Sequence, residues 1–289
     1  MPLHPRNKHK DKYDFPELIR VFPSLKPFVK PNKFGNDSID FSNQQAVKTL
    51  NQALLKSYYQ IDQWDIPSQY LIPPIPGRSD YIHHLADLLG EPMGSETKIL
   101  DIGTGSSLIY PIIGNRDYGW SFIATDIGPT SLENAHTIIE DNKKLKNIEL
   151  RYQKNQRDIF LGVLNSKEYV DACICNPPFH ASHEEAQKGT LRKMRNLNKG
   201  KKIKKAELNF GGQSNELITE GGEKQFIFNM IKQSKRFAKN VGWFTTLVSK
   251  ESIVPAIKSS LVHHGAKVHI IEMEQGNKKS RIVAWKFKS

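Results

Sequence analysis

From Lys98 onward the chain alternates short β-like runs with helical stretches, and this alternation narrows its possible folds more than any other feature. Parallel strands need crossover connections, and helices supplied between strands cover both faces of the sheet they connect. The runs are KILDIG (98–103), SFIATD (121–126), IELRYQ (148–153), VDACIC (170–175) and GWFTTLVS (242–249), with two more near 267–275 and 281–288. Between them, Leu132, Ala135 and Ile139 lie on one face of a helix that Thr130 and Glu133 would open as a capping box. Helices near 223–238 and 252–264 follow, the second closed by Gly265. The pattern predicts an α/β fold with a largely parallel sheet.

Ahead of this region the pattern is different. Residues up to about 40 are rich in Pro, Lys and Phe without a sustained period, and read as an extended arm with short helical pieces. Ser42 and Gln45 make a second capping box, after which Val47, Leu50, Leu54 and Tyr58 recur at helical spacing. The IPPIPGRSD segment at 72–80 is expected to be irregular because its prolines remove backbone donors, with a helix from Tyr81 to Leu89 closed by Gly90. Residues 1–90 therefore read as an N-terminal elaboration and 91–289 as the α/β domain, with a long insertion at 180–222.

Several function classes can be set aside at this level. No stretch approaches the roughly 20 apolar residues that cross a bilayer, and the polar, basic start lacks a secretory signal, which places the chain in the cytosol. Cys173 and Cys175, two apart in an apolar run, share one face of a strand and are expected to be buried and reduced. The pairs His83-His84 and His263-His264 have no further ligands at metal-binding spacing and read as surface or cap histidines, so no metal is expected. The formal charge of +12 points to a polyanionic partner. Nine Lys or Arg and no acid fall between Lys188 and Lys205, and a second cluster comprises Arg6, Lys8, Lys10 and Lys12. The same runs could instead be solvated charged faces.

Three constellations carry chemistry. Asp101-Ile102-Gly103-Thr104-Gly105 ends the first strand, at the edge where α/β sheets bind cofactors, although a glycine turn alone is as compatible with a plain structural turn. Asp126 ends the second strand, where a carboxylate can accept both hydroxyls of an adenosine ribose. Asn176-Pro177-Pro178-Phe179 follows the fourth strand and so belongs to the same edge. An adenine amine is a poor nucleophile, its lone pair being delocalised into the ring. The Asn176 side-chain carbonyl and the Pro177 backbone carbonyl can accept its hydrogens, the prolines stiffen the backbone, and Phe179 offers a stacking face worth about 1–3 kcal/mol. Orientation of the amine toward a methyl donor then supplies much of the catalysis.

These residues belong to longer segments: HPRNKHKDKYDF (4–15), LIPPIPGRSDYIH (71–83), ILDIGTGSSLIYPIIG (99–114), ATD (124–126), CNPPF (175–179) and ELITEGGE (216–223). Over nearly its whole length the chain resembles the 23S ribosomal RNA adenine-N6 methyltransferases, whose relatives include a eukaryotic enzyme acting on U6 small nuclear RNA. The resemblance implies a class I S-adenosylmethionine-dependent methyltransferase, Rossmann-like, with a mixed seven-stranded sheet and an N-terminal helical and extended elaboration. It implies methylation of the N6 amino group of one adenine of 23S ribosomal RNA, adenine 1618.

It also implies roles that spacing could not supply. Arg78 would pair with the methionine carboxylate of S-adenosylmethionine, Gly103 and Ser107 would line the methionine end beside Asp101 and Gly105, Asp126 would hold the ribose and Asp158 the adenine edge. Asn176 would border both cofactor and base. Arg6, Lys8, Lys10 and Lys12, with Arg192, Lys193 and Arg195 of the basic loop, would grip RNA phosphates without reading sequence. The target adenine must be unpaired or flipped out of a duplex to reach the donor. Methylation of a protein glutamine amide, methylation of DNA adenine, and a non-catalytic RNA-binding assembly factor are the competing readings.

Overall fold

In a computed structural model of the chain, the described residues are 2–178, 221–275 and 278–287. Seven strands form one mixed sheet: β3 (Lys98–Ile102), β4 (Ser121–Asp126), β5 (Ile148–Tyr152), β6 (Val170–Cys175), β7 (Val241–Val248), β8 (Ala266–Gln275) and β9 (Lys278–Phe287). Their order is β5-β4-β3-β6-β7-β9-β8, with the first five parallel and β9 antiparallel to both neighbours. This is the class I methyltransferase architecture. The central strands are apolar on both faces, as a sheet covered on both sides requires. Leu100, Cys173, Phe244 and Trp285 pack toward one side with α6 (Gly222–Ser234) and α7 (Val254–His263). Ile99, Ile174 and Ile282 pack toward the other. Cys173 and Cys175 are buried and unpaired in disulfide terms, as their spacing predicts.

The second face is covered by the N-terminal elements together with α4 (Ile109–Tyr118) and α5 (Pro129–Asp141), which share one continuous apolar cluster. The elaboration comprises α1 (Phe15–Val21), a 3₁₀ turn over Pro23–Phe28, a short hairpin of β1 (Val29–Pro31) and β2 (Asp37–Ile39), α2 (Gln44–Tyr59) and α3 (Ile75–Leu89). It is thus more regular than an extended arm. The expected irregular stretch at 72–80 is corrected as well: α3 begins at Ile75, with Pro76 in its first turn, where a missing N–H leaves no helical bond unmade. Arg78 accordingly stands on a helix rather than in a loop.

Both expected capping boxes are replaced by other devices. Asn43 caps α2, its Oδ1 accepting from the Ala46 N–H at 3.1 Å, while Ser42 gives its N–H and hydroxyl to Asp40. Pro129 opens α5 after Gly128, leaving Thr130 and Glu133 inside the helix. The helix expected at 223–238 shortens to α6 followed by a 3₁₀ turn over Lys235–Phe237.

The most N-terminal residues lie against α3 and α4 through a polar network. Asp80 accepts from the His4 N–H at 2.6 Å and from Asn7 Nδ2 at 3.1 Å, and Asn7 also donates to the Pro76 carbonyl at 2.9 Å. Arg6 pairs with Asp87 and with Glu91 at 2.8 Å, and Lys8 with Asp117 at 2.6 Å. Lys10 donates to the Pro5 carbonyl. Arg6 and Lys8 are therefore committed to carboxylates of the protein itself. His83, expected at the surface, is buried, donating or accepting between Ser79 and the Tyr118 hydroxyl, and burial holds it neutral with a pKa lowered to about 4. His264 matches the cap reading, its Nδ1 bonding the Ser260 carbonyl. His4, His84 and Asp87 bring ligand-type atoms within 4.8 Å of one another, but His4 Nδ1 accepts the Arg6 N–H, so its Nε2 carries the proton that faces Asp87.

Candidate functional site

Parallel strands bring their carboxyl ends to a common edge, and the three motifs meet there. After β3 the chain turns through Gly103 (φ +73°) and Gly105 (φ +64°), both in the left-handed region that glycine enters at no steric cost. A Cβ at Gly103 would meet nothing within 4 Å, so this stretch of backbone faces open space. The N–H groups of Gly103 and Thr104 donate to the Thr125 carbonyl at 2.9 Å, stitching the loop to the end of β4. Asp126 completes the join: one carboxylate oxygen accepts the Gly105 N–H at 2.9 Å and the other the Gly128 N–H at 2.8 Å. Each oxygen keeps a second lone pair for a ligand hydroxyl. Burial raises the Asp126 pKa, opposed by the backbone donors of Gly128, Gly105 and Ile127.

Asp101 lies beneath this loop with no exposed surface, and among the described residues neither of its carboxylate oxygens receives a hydrogen bond of good geometry. Burial pushes its pKa up to about 7; the neighbouring Thr104 hydroxyl opposes the shift, Asp126 adds to it, and the positive charge of Arg78 opposes it. The hydroxyls of Thr104 and Ser106 are also buried without partners. Buried polar atoms left unpaired cost about 1–3 kcal/mol each, and a cluster at one edge is what a ligand-binding pocket leaves when its own atoms are the only ones present.

Arg78 reaches the site from α3. Its Nη1 donates to the Tyr110 hydroxyl at 2.8 Å, and its guanidinium carbon lies 5.4 Å from the Tyr110 ring centroid. Tyr110 stands in the first turn of α4, directly after the glycine loop, so Arg78 is held over the methionine-side residues of the resemblance. The Ser107 carbonyl accepts Trp64 Nε1 at 2.9 Å, and the Ser106 carbonyl accepts Asn134 Nδ2 at 2.8 Å. Asp158 lies in the loop after β5, at the same edge, with one oxygen accepting from Asn155 Nδ2 at 2.8 Å.

Asn176, Pro177 and Pro178 continue directly from β6, the strand adjacent to β3. Asn176 Oδ1 is buried and has no hydrogen-bond partner among the described residues. Phe179, Arg192, Lys193 and Arg195 fall outside the described residues. Where the chain is described again, Glu223 at the start of α6 is 1% exposed and accepts the Ser249 N–H (2.6 Å) and hydroxyl (2.8 Å), fastening α6 to the end of β7 beside β6.

The structure thus brings Arg78, Asp101, Gly103, Gly105, Ser107, Asp126, Asp158 and Asn176 to one edge of the sheet. Thr104, Ser106, Tyr110 and Trp64 join them without having been singled out. The first three lie within the ILDIGTGSSLIYPIIG run, so the signal was at hand; Trp64 comes from a segment with no motif. An arginine, a buried acid, unpaired hydroxyls and a ribose-type carboxylate together suit a ligand with a zwitterionic end and a nucleoside end.

A family model described as RNA methyltransferase matches residues 1–289. The ribosomal RNA large subunit methyltransferase F of Cytophaga hutchinsonii is 52% identical over 295 residues, which cover 99% of this chain and 91% of that protein. The catalytic domain of human METTL16 in complex with the MAT2A 3′UTR hairpin 1 superimposes with a TM-score of 0.85 at 31% identity, covering 100% of this chain and 96% of that one. The N-terminal domain of human METTL16 in complex with SAH gives a TM-score of 0.79 at 29% identity, covering 99% of each chain.

Proposed function

The chain belongs to the RNA methyltransferase family, and on that premise we propose that it methylates the N6 amino group of an adenine in the RNA of the large ribosomal subunit. S-adenosylmethionine is the cofactor, and it supplies a methyl group made electrophilic by the sulfonium to which it is bonded. Arg78 holds the methionine carboxylate, Asp126 accepts the ribose hydroxyls, and Asp158 borders the adenine. Gly103 and Gly105 let the backbone approach, and Asp101 and Ser107 complete the methionine end.

The observation that carries the reading is the unpartnered Oδ1 of Asn176 at the carboxyl end of β6. A buried carbonyl without a donor is costly unless a ligand supplies the donor, and an adenine amine has two N–H groups to offer. With Asn176 Oδ1 and the Pro177 carbonyl accepting those hydrogens, the nitrogen lone pair turns out of conjugation and toward the methyl carbon. Held in this way, the nitrogen would accept the methyl group that the sulfonium cofactor supplies, the C–S bonding electrons remaining on sulfur and one amine proton passing to solvent. Positioning of this kind, rather than a strong base, supplies the rate. The expectation of adenine 1618 follows the resemblance of the segments given above.

The test is incubation of the parent chain and of Asn176→Ala with isotopically labelled S-adenosylmethionine and unmodified large-subunit RNA, followed by nucleoside mass spectrometry. The parent should yield N6-methyladenosine, and Asn176→Ala should lose roughly a hundred-fold or more of that rate while retaining its affinity for the demethylated cofactor. Label entering a different nucleoside would overturn the adenine assignment. Label entering protein extract and not RNA would turn the reading to a glutamine amide.

A further inference from the structure

The hairpin β1–β2 ends in a tightly bonded turn. The Asn32 N–H donates to the Asn36 carbonyl at 2.8 Å, and the Gly35 N–H donates to the Asn32 carbonyl at 2.9 Å. Asn32 Oδ1 accepts the N–H groups of Phe34 (2.9 Å) and Asn36 (3.2 Å), and Gly35 adopts φ +76°. This ordered turn presents Phe34 at 75% exposure, and Phe41, just beyond β2, is 58% exposed. Single exposed apolar residues are ordinary on protein surfaces, but two phenylalanines on one small hairpin are a concentrated feature.

A lysine lies against the ring of Phe34, and two more precede it in the chain. Lys33 Nζ lies 4.8 Å from the Phe34 ring centroid, and Lys26 and Lys30 are exposed nearby in sequence. Among the described residues no carboxylate forms an ion pair with these three lysines, in contrast to Arg6 and Lys8. Of the hairpin's own acids, Asp40 accepts the Ser42 N–H and hydroxyl and feels the charge of Lys30 without closing an ion pair, and Asp37 lies exposed on the returning strand.

The hairpin also stands on the catalytic side of the molecule. It runs through Asp40 to Asn43 directly into α2, and early in α2 Lys48 pairs with Asp65 at 2.8 Å. The Asp65 carbonyl accepts Asn134 Nδ2, which also bonds Ser106 in the glycine loop. One turn further on, Gln52 donates to the carbonyl of Trp64, whose indole donates to Ser107. The other end of α2 is tied at the Tyr59 carbonyl to Arg116, near the far end of α4. α2 therefore runs in the same direction as α4, and its hairpin-bearing end lies toward the cofactor loop.

We propose that the β1–β2 tip docks the RNA substrate, with Phe34 stacking on an unpaired base and Lys26, Lys30 and Lys33 holding the adjoining phosphates. An exposed ring flanked by unpaired cations is the recognition chemistry of single-stranded nucleic acid, because every base has a π-face and every linkage a negative charge. This docking rests on the reading of the chain as an RNA methyltransferase, and it adds the hairpin to the RNA-binding surface expected of the N-terminal elaboration, where Arg6 and Lys8 are already paired with Asp87 and Asp117.

Fluorescence anisotropy with two labelled probes tests it: a single-stranded oligoadenylate of about 12 nucleotides, within the usual footprint of such sites, and a blunt RNA duplex of the same length. Phe34→Ala should weaken oligoadenylate binding about five- to ten-fold with the slope against log salt unchanged, leave duplex binding nearly as in the parent, and be rescued by Phe34→Trp. Lys30→Gln combined with Lys33→Gln should lower that slope by about 1.4. Affinity for the demethylated cofactor should be the same in all variants. Oligoadenylate binding by Phe34→Ala as tight as the parent's overturns the proposal, as does a loss that Phe34→Trp fails to restore. A parent chain that binds neither probe even at low salt instead overturns the RNA reading on which the proposal rests.

Discussion

Asp101 is a carboxylate sealed under the glycine loop, and burial raises its pKa to about 7 against the opposing Thr104 hydroxyl. In the unfolded chain an aspartate titrates near 3.9. Between those values the folded state holds the proton that the unfolded state has released, so folding stability falls as pH rises from about 4 to about 7. Asp101→Asn removes this titration. The melting temperature of the ligand-free variant should gain on the parent's across that window and show no further gain above it; a difference that is flat with pH would mean that Asp101 is solvated or paired in solution. Asn176 presents the complementary case, a neutral acceptor to which the proposed substrate amine would donate, so on that proposal its substitution acts on turnover and not on pH dependence.

At the scale of elements, the N-terminal segment, α3 and α4 act as one assembly. Asp117 on α4 is only 5% exposed, and Lys8 is its counter-ion. Lys8→Ala leaves a buried carboxylate whose pKa burial already raises. The loss of stability should be about 1–3 kcal/mol, below the value for a fully buried pair because Lys8 itself is partly exposed; chemical denaturation measures it. RNA affinity should change little beyond what unfolding explains. α4 must also approach β4 closely. A Cβ on Gly114 would come within 2.5 Å of the Phe122 ring and 3.2 Å of Trp120, both buried. Gly114→Ala should cost roughly 1–3 kcal/mol by overpacking, despite the better helix propensity of alanine, and a stabilised variant would show that the ring can yield.

For the whole molecule, the net charge of +12 makes binding to a polyanion strongly salt-dependent. Neutralising Arg192, Lys193 and Arg195 together should lower the slope of log affinity against log salt by about 2 for single-stranded RNA. An unchanged slope would return that run to the solvent. Joined with the hairpin test, this experiment would map the proposed RNA path from two sides, since one cluster follows the Asn176 motif in sequence and the other precedes the end of α2 that lies toward the cofactor loop.

The alternation of strands and helices, the sheet edge that collects Asp101, Asp126 and Asn176, and the pairing of Cys173 with Cys175 on one face were all legible in the sequence. Each depends on local period or on a motif's place at a strand end, and parallel strands turn shared position into shared location. The resemblance of the 71–83 segment assigned Arg78 to the pocket, but only packing placed it on a helix and against Tyr110. The same limit explains the arm: the charges of Arg6 and Lys8 are visible in any reading of the chain, whereas their partners Asp87 and Asp117 lie 81 and 109 residues away. Whether a cation is free for RNA, whether a carboxylate is left unpaired, and which of two neighbouring residues caps a helix are decided by the distant elements that pack beside them, because burial and counter-ions are properties of the assembled interior.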